Sequence, residues 1–215
     1  MKKLLILMLQ AGLLLTACGG SSGSGGGGNY SYTPANTTKA NTTTQPVNTS
    51  KTQSTPTKSE KQSVIDYLKD NGKYSGGSYG IIKISTLDSW YVTDYISYSL
   101  SDDNFTSSVM MQYISGSDSI ENFGMVSFKW GSFKTGNFLA QTTYTISGKS
   151  YTNAFKFTVS FSSYPSFQIT KYTVLQSGLS SSTSDDAEVC ASCVGRAINN
   201  FVKSVKSMGA TSNLW

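Results

Sequence analysis

The chain has 215 residues and no histidine. That absence removes Ser-His-Asp and Cys-His catalysis, histidine general bases and histidine metal ligands together. A metal site would have to be built from carboxylates or thiolates, and the chain carries only twelve Asp and Glu and three Cys. The carboxylates Asp88, Asp94, Asp102, Asp103, Asp118, Glu121, Asp185, Asp186 and Glu188 are scattered, with no spacing that singles out an acid/base pair of the glycosidase kind. There is no Walker-type phosphate loop and no G-x-G-x-x-G. Long apolar runs are lacking too. The stretch Leu4–Leu15 is interrupted by Gln10 and Gly12 and falls short of the ~20 residues that a membrane span needs.

An excess of one charge is only apparent. The formal net charge is +5, but Lys2, Lys3, Lys39, Lys51 and Lys58 all precede residue 59. Residues 59–215 hold twelve basic and twelve acidic side chains and are neutral. No basic helix or interleaved basic-aromatic patch is present, which excludes nucleic acid as the expected partner.

What is present begins at the amino terminus. Met1 to Cys18 reads as two lysines, an apolar segment and small residues before a cysteine, the pattern of an exported chain whose leader is removed. Leu15-Thr16-Ala17-Cys18 resembles the lipobox of bacterial lipoproteins. The resemblance implies cleavage before Cys18, diacylglycerol on its sulfur and usually a third acyl chain on the new amino terminus. The signal peptide is then 1–17 and the anchor Cys18. One myristoyl-length chain holds a protein to a bilayer only marginally, whereas two or three do so firmly. In Gram-negative members of the family an aspartate after the cysteine tends to retain the protein in the inner membrane. Gly19 stands there, so the resemblance implies the outer membrane.

Residues 18–58 are rich in Gly and Ser, then in Thr, Asn and Pro, with almost nothing able to bury apolar surface. Such a segment cannot offset the entropy of ordering and is expected to be a tether. About forty residues give an average reach of roughly 35 Å and a limit of about 130–145 Å. It would hold a single globular domain, 59–215, clear of the lipid headgroups.

In that domain Ser63–Asn71 reads as a short amphipathic helix with Val64, Ile65 and Leu68 on one face, stopped at Gly72. Period-two segments follow at 79–86, 90–100, 107–115, 123–130, 138–146, 151–161 and 167–175. The clearest alternates Tyr151, Asn153, Phe155, Phe157, Val159 and Phe161 with smaller or polar residues. Ser147-Gly148-Lys149 and Lys134-Thr135-Gly136-Asn137 are hairpin turns. A long helix at 186–208, capped by Asp185 with Glu188, carries an apolar stripe through Cys190, Val194, Ile198, Phe201 and Val205. The expected fold is α+β: a single antiparallel sheet of about seven strands flanked by a short N-terminal helix and a long C-terminal helix. This order resembles PsbP-like α/β/α sandwiches by topology alone.

Two constellations carry possible chemistry. Cys190-Ala191-Ser192-Cys193 resembles the thioredoxin-type redox motif, though without its Trp-Cys-Gly-Pro-like run. Export to an oxidising space favours a structural Cys190–Cys193 disulfide, with buried free thiols or redox catalysis as the alternatives. Helical i, i+3 Cβ atoms lie ~5–6 Å apart and a disulfide wants ~3.5–4.5 Å, so pairing requires the first turn to distort. Trp90, Tyr91, Tyr95 and Tyr98, with Trp130, form a candidate binding face for a glycan or a protein, against the plainer reading of two ordinary sheet faces. The sequence thus points to a non-catalytic envelope binding or assembly module, with no cofactor and no metal. An acyl-chain carrier with an apolar cavity is the alternative, and a thiol-redox enzyme a more distant one. Substituting Cys18→Ser should abolish incorporation of labelled palmitate and release the chain from the membrane fraction; unchanged fractionation together with no palmitate uptake by the unsubstituted chain would refute the anchor.

Overall fold

A computed structural model describes residues 30–32, 56–163 and 166–215. The expected signal peptide 1–17, Cys18 and most of the expected tether lie outside the described residues. Three residues of that tether, Tyr30–Tyr32, form strand β1, which pairs antiparallel with the far edge of the sheet. Composition alone had assigned them no structure.

The chain continues through helix α1 (Lys58–Asn71) and strands β2 (Lys73–Ser75), β3 (Ser78–Leu87), β4 (Trp90–Ser99), β5 (Asn104–Ser115) and β6 (Asp118–Lys129). Then come β7 (Asn137–Ile146), β8 (Lys149–Ser163), β9 (Ser166–Ser177), a 3-10 turn (Ser180–Ser182) and helix α2 (Thr183–Ser207). The sheet order is β1-β9-β8-β7-β6-β5-β4-β3-β2, with every neighbouring pair antiparallel. The α+β class and the single antiparallel sheet are as expected. The number of strands is not: eight lie between Lys73 and Ser177, the addition being the three-residue β2, too short to show a period.

The meander is enforced by two-residue turns. Gly76-Gly77, Asp88-Ser89, Gly116-Ser117 and Ser147-Gly148 each join consecutive strands, and the first residue of every turn has a positive φ. Such turns match the twist of the strands they connect and leave each strand beside its predecessor.

The helix-facing side of the sheet presents Val92 and Ile96 of β4, Phe105 and Val109 of β5, Val126 and Phe128 of β6, Phe138 of β7, and Phe155 and Phe157 of β8. Onto it α2 lays Ala187, Val194, Ala197, Ile198, Phe201 and Val205, all inaccessible to solvent. Full burial of one such aliphatic or aromatic side chain contributes about 1.5–3 kcal/mol. Phe128 stacks against Phe133, Phe138, Phe201 and Trp215, and Trp215 lies 4.5 Å from Phe161 between ring centroids. α1 joins this same layer. Its Val64, Ile65 and Leu68 belong to the one core, and Gly209, just after α2, approaches Ser63. Both helices therefore cover one face, and the described residues form two layers rather than an α/β/α sandwich.

Both helix starts differ from the sequence expectation. α1 begins five residues earlier, at Lys58, because Thr57 and Glu60 make a capping box: Thr57 Oγ1 accepts from the Glu60 amide, and Glu60 Oε2 accepts from the Thr57 amide at 2.7 Å. The other oxygen, Oε1, accepts from the backbone and hydroxyl of both Thr211 and Ser212. Burial pushes the Glu60 carboxyl up, but the hydroxyls of Ser212 and Thr211 and the amides of Thr57 and Thr211 outweigh it and hold the carboxyl at about 2. α2 starts at Thr183, fed by the 3-10 turn, so Asp185 is not its cap and no side chain caps it. Asp186 instead turns inward.

α2 can approach the sheet closely at one place only because β6 carries Gly124 there. A Cβ on Gly124 would stand 2.6 Å from the carbonyl carbon and 2.7 Å from the Cβ of Cys193. Alanine at an interior strand glycine ordinarily stabilises by relieving unfolded-chain entropy. Gly124→Ala should do the reverse and cost about 1–3 kcal/mol by overpacking, measured as a lower urea midpoint with an unchanged m-value.

Candidate functional site

Cys190 and Cys193 lie within α2, which is regular through both positions, and they are two free, buried thiols. The expected disulfide is not formed: the helix begins seven residues before Cys190, so the distortion of a first turn that pairing needs is absent here. Cys190 Sγ meets Thr142 Oγ1 at 3.5 Å, while Cys193 packs on Gly124. Burial pushes the Cys190 thiol strongly up and the Cys193 thiol to about 11, the latter against the opposing pull of Arg196. A reactive thiolate needs an exposed, electropositive setting that lowers its pKa. These thiols have the opposite environment and serve as close-packed apolar groups.

The acidic side chains nearest the helices are fixed structurally. Asp186, 3 % exposed, accepts from Tyr144 Oη at 2.6 Å, Asn153 Nδ2 at 2.6 Å and Ser182 Oγ at 2.9 Å. Burial first, and then the bond to Asp186, push the Tyr144 phenol to about 12, so it stays a donor. Asp94 on β4 accepts both the Arg196 Nε and Nη2 at 3.3 and 3.1 Å, and Asn200 Nδ2 at 2.8 Å. Among the described residues no three of His, Cys, Asp and Glu come together in a way that could hold a metal ion. The space between sheet and helices, where an acyl-chain cavity would lie, is occupied by Phe105, Phe128, Phe155, Phe201 and Trp215.

The remaining surface of interest is the other face of the sheet. Strand alternation splits the expected aromatic cluster between the two sides. Trp90 and Tyr98 share the pleat of Val92 and Ile96 and point toward the helices. Tyr98 is 8 % exposed, stacks on Phe105 and donates to Asp103. Trp130 packs on Phe105 and Phe133, and its Nε1 donates to the Thr57 carbonyl. Only Tyr91 and Tyr95 lie on the opposite pleat, where Tyr95 covers Gly80.

The register shows what accompanies them. One row across the sheet runs Ile82, Tyr95, Ser108, Met125, Leu139 and Lys156. The next runs Ile84, Thr93, Met110, Phe123, Gln141 and Ala154. Together they make an apolar band crossing β3 to β7 at right angles to the strands. Ile82 is 41 % and Ile84 64 % exposed, while Tyr95, Met110, Phe123, Met125 and Leu139 are half-buried among their neighbours. Among the described residues no element lies over this band. More polar rows border it: Ser97, Thr106, Ser127 and Asn137 on one side, and Thr86, Tyr91, Gln112, Glu121 and Thr143 on the other, Tyr91 being 54 % exposed. Toward one end, Asn104, Ser127, Lys129, Thr135, Gly136 and Asn137 line a wide-mouthed depression of about 370 Å³.

Sequence reasoning named Tyr91 and Tyr95 but missed Ile82, Ile84, Met110, Phe123, Met125 and Leu139. The signal was slight: on that pleat β5 and β6 carry Met110, Phe123 and Met125 among Thr106, Ser108, Gln112, Glu121 and Ser127, too mixed for alternation to mark. No family model, curated protein or solved structure matches the chain. The site therefore rests on its own geometry.

Glu121 sits at the rim of this band, half-buried, and burial raises its carboxyl above the ordinary 4.5. The folded state then holds this proton more tightly than the unfolded chain. Its contribution to stability is favourable at low pH and falls as pH rises from about 4.5 through the raised value. Glu121→Gln should accordingly raise the unfolding midpoint at pH 7 by a small amount. The gain should vanish below pH 4.5, a difference read by thermal melts of the two chains across that range.

Proposed function

We propose that this chain is a cell-envelope lipoprotein, anchored through Cys18, whose domain is a non-catalytic binding or assembly module. The anchor rests on the lipobox-like Leu15-Thr16-Ala17-Cys18. The binding reading rests on a single observation: the uncovered apolar band of Ile82, Ile84, Tyr95, Met110, Phe123, Met125 and Leu139. Removing such a band from water is favourable at about 25 cal/mol per Å² of apolar surface. A broad apolar patch rimmed by polar residues is the usual mark of an interaction site.

The chemistry of the band favours an envelope protein over a glycan. Two methionines, a phenylalanine and aliphatic side chains make an adaptable apolar surface. A sugar-binding platform would instead align exposed aromatic rings with hydrogen-bonding groups, and here only Tyr91 is a largely exposed ring. The neutral charge of residues 59–215 gives no long-range preference for an anionic or cationic partner. In the other direction, the sealed thiols and the filled interior supply neither a redox centre nor an acyl-chain cavity.

A photo-reactive phenylalanine analogue placed at Tyr91 or Met110 in the full chain should crosslink one envelope protein in intact cells. The adduct should disappear when Phe123→Lys is added. The same analogue at Thr158 or Ser160, on the polar end of the same face, should give none. Equal capture at all four positions, or no capture at any, would overturn the reading.

A further inference from the structure

The sheet has two edges, and they are protected differently. At β9 the outer edge is covered over Phe167–Ile169 by β1, and beyond that the strand carries a register irregularity at Thr170 and an exposed Lys171. Both are ordinary ways of blocking further pairing. At the opposite edge β2 covers only Ser78–Gly80 of β3. Residues Ile81–Leu87 form one side of an unbroken ladder with β4 and have no pairing partner on their outer side among the described residues. This stretch has no proline and no bulge, and Ile82, Ile84 and Leu87 are exposed. Lys83 is the one charged side chain in the stretch, and an unpaired, largely apolar edge of this kind is a template for adding a strand wherever the incoming strand sets no like charge opposite that lysine.

We propose that β3 pairs antiparallel with β3 of a second copy of this chain, about a two-fold axis at Ile84, to make one continuous sheet. The proposal does not rest on the binding partner inferred above, since it uses the edge and not the face. Its support is self-complementarity, which a two-fold interface demands. With the axis at Ile84, that residue meets its own copy, Ile82 faces Thr86, Lys83 faces Ser85 and Ile81 faces Leu87. Ile84–Ile84 and the two Ile81–Leu87 pairs are apolar on apolar, and no like charges are opposed. Moving the axis one residue to Lys83 would set two lysines directly opposite, an unfavourable pair. The length fits as well. Where β2 ends beside Gly80 at Lys73, the second copy's β3 has reached its own end at Leu87, and the Asp88-Ser89 turn carries it away. Lys73 holds the position beside Gly80, so Asp88 of the second copy leaves the ladder there and becomes the neighbour of Lys73, opposite in charge, twice over by symmetry. Both are exposed in the single chain.

Cysteine crosslinking of the full chain in its membrane tests the register directly. Residues facing each other in an antiparallel pair have Cα atoms ~4.5–5.5 Å apart, within disulfide range. Ile84→Cys should give a disulfide-linked species of twice the chain mass on mild copper-phenanthroline oxidation. Ile82→Cys or Thr86→Cys alone should not, because each lies ~13 Å from its copy. The chain carrying both should crosslink again. In detergent, native mass spectrometry should show a dimer for the unsubstituted chain and a monomer for Ile84→Asp, with unchanged circular dichroism. The proposal is overturned by a monomeric unsubstituted chain, by crosslinking that does not depend on position, or by an Ile84→Cys adduct of any other mass.

Discussion

The close seating of α2 on the sheet at Gly124 is the contact on which the rest depends. One long helix, with α1 beside it and Phe133, Leu214 and Trp215 at its margins, supplies the apolar cover of the sheet among the described residues, and it supplies it to one side. The glycine lets the helix backbone drop onto β6, and Cys193 fills the space that any larger residue would contest. The interior can then be packed with rings from Phe105, Phe128, Phe155 and Phe201. The same geometry determines the fate of the CxxC pair. Its sulfurs are drawn under the helix where the solvent that activates a thiol does not reach. It also determines that the other pleat of β3 to β7 is left bare.

Carboxylates bind the helical layer to the sheet and to itself. Asp186 gathers Tyr144, Asn153 and Ser182 at the start of α2. Asp94 holds Arg196 and Asn200 at its middle. Glu60 joins the first turn of α1 to the segment that follows α2. Each has its lone pairs matched by donors, the condition under which a buried charge is tolerated. In a chain with twelve acidic residues, committing three of the best-buried ones to such joints leaves few to act on a substrate.

Much of the architecture was legible because the strands are strongly periodic. All seven expected strands are present, along with both helices and their apolar stripes. What failed did so for identifiable reasons. β2 has three residues, fewer than a period can reveal. The start of α1 was written in Thr57 and Glu60, a capping box concealed by the Thr- and Lys-rich sequence around it. Asp185 had the chemistry of a cap, but the 3-10 turn before it started the helix early. The aromatic cluster was the most instructive failure. Alternation says that Trp90 and Tyr91 lie on opposite pleats; it does not say which pleat the helix covers. In β4 both carry bulky side chains, so the choice is made by long-range packing through Gly124, which no local pattern encodes.

The Glu60 joint bears on how the domain responds to being pulled. The backbone enters α1 at Thr57, whose carbonyl is held by Trp130 and whose amide is held by Glu60. Glu60 in turn grips Thr211 and Ser212. Tension arriving at Thr57 from the residues just before it is handed across to the C-terminal segment before it reaches β2 or β3. The β2–β3 edge of the sheet is thus shielded from being unzipped one ladder at a time, and the joint that shields it is a single clustered carboxylate. Acid strong enough to protonate that group would make the domain easier to stretch while leaving the strands themselves intact.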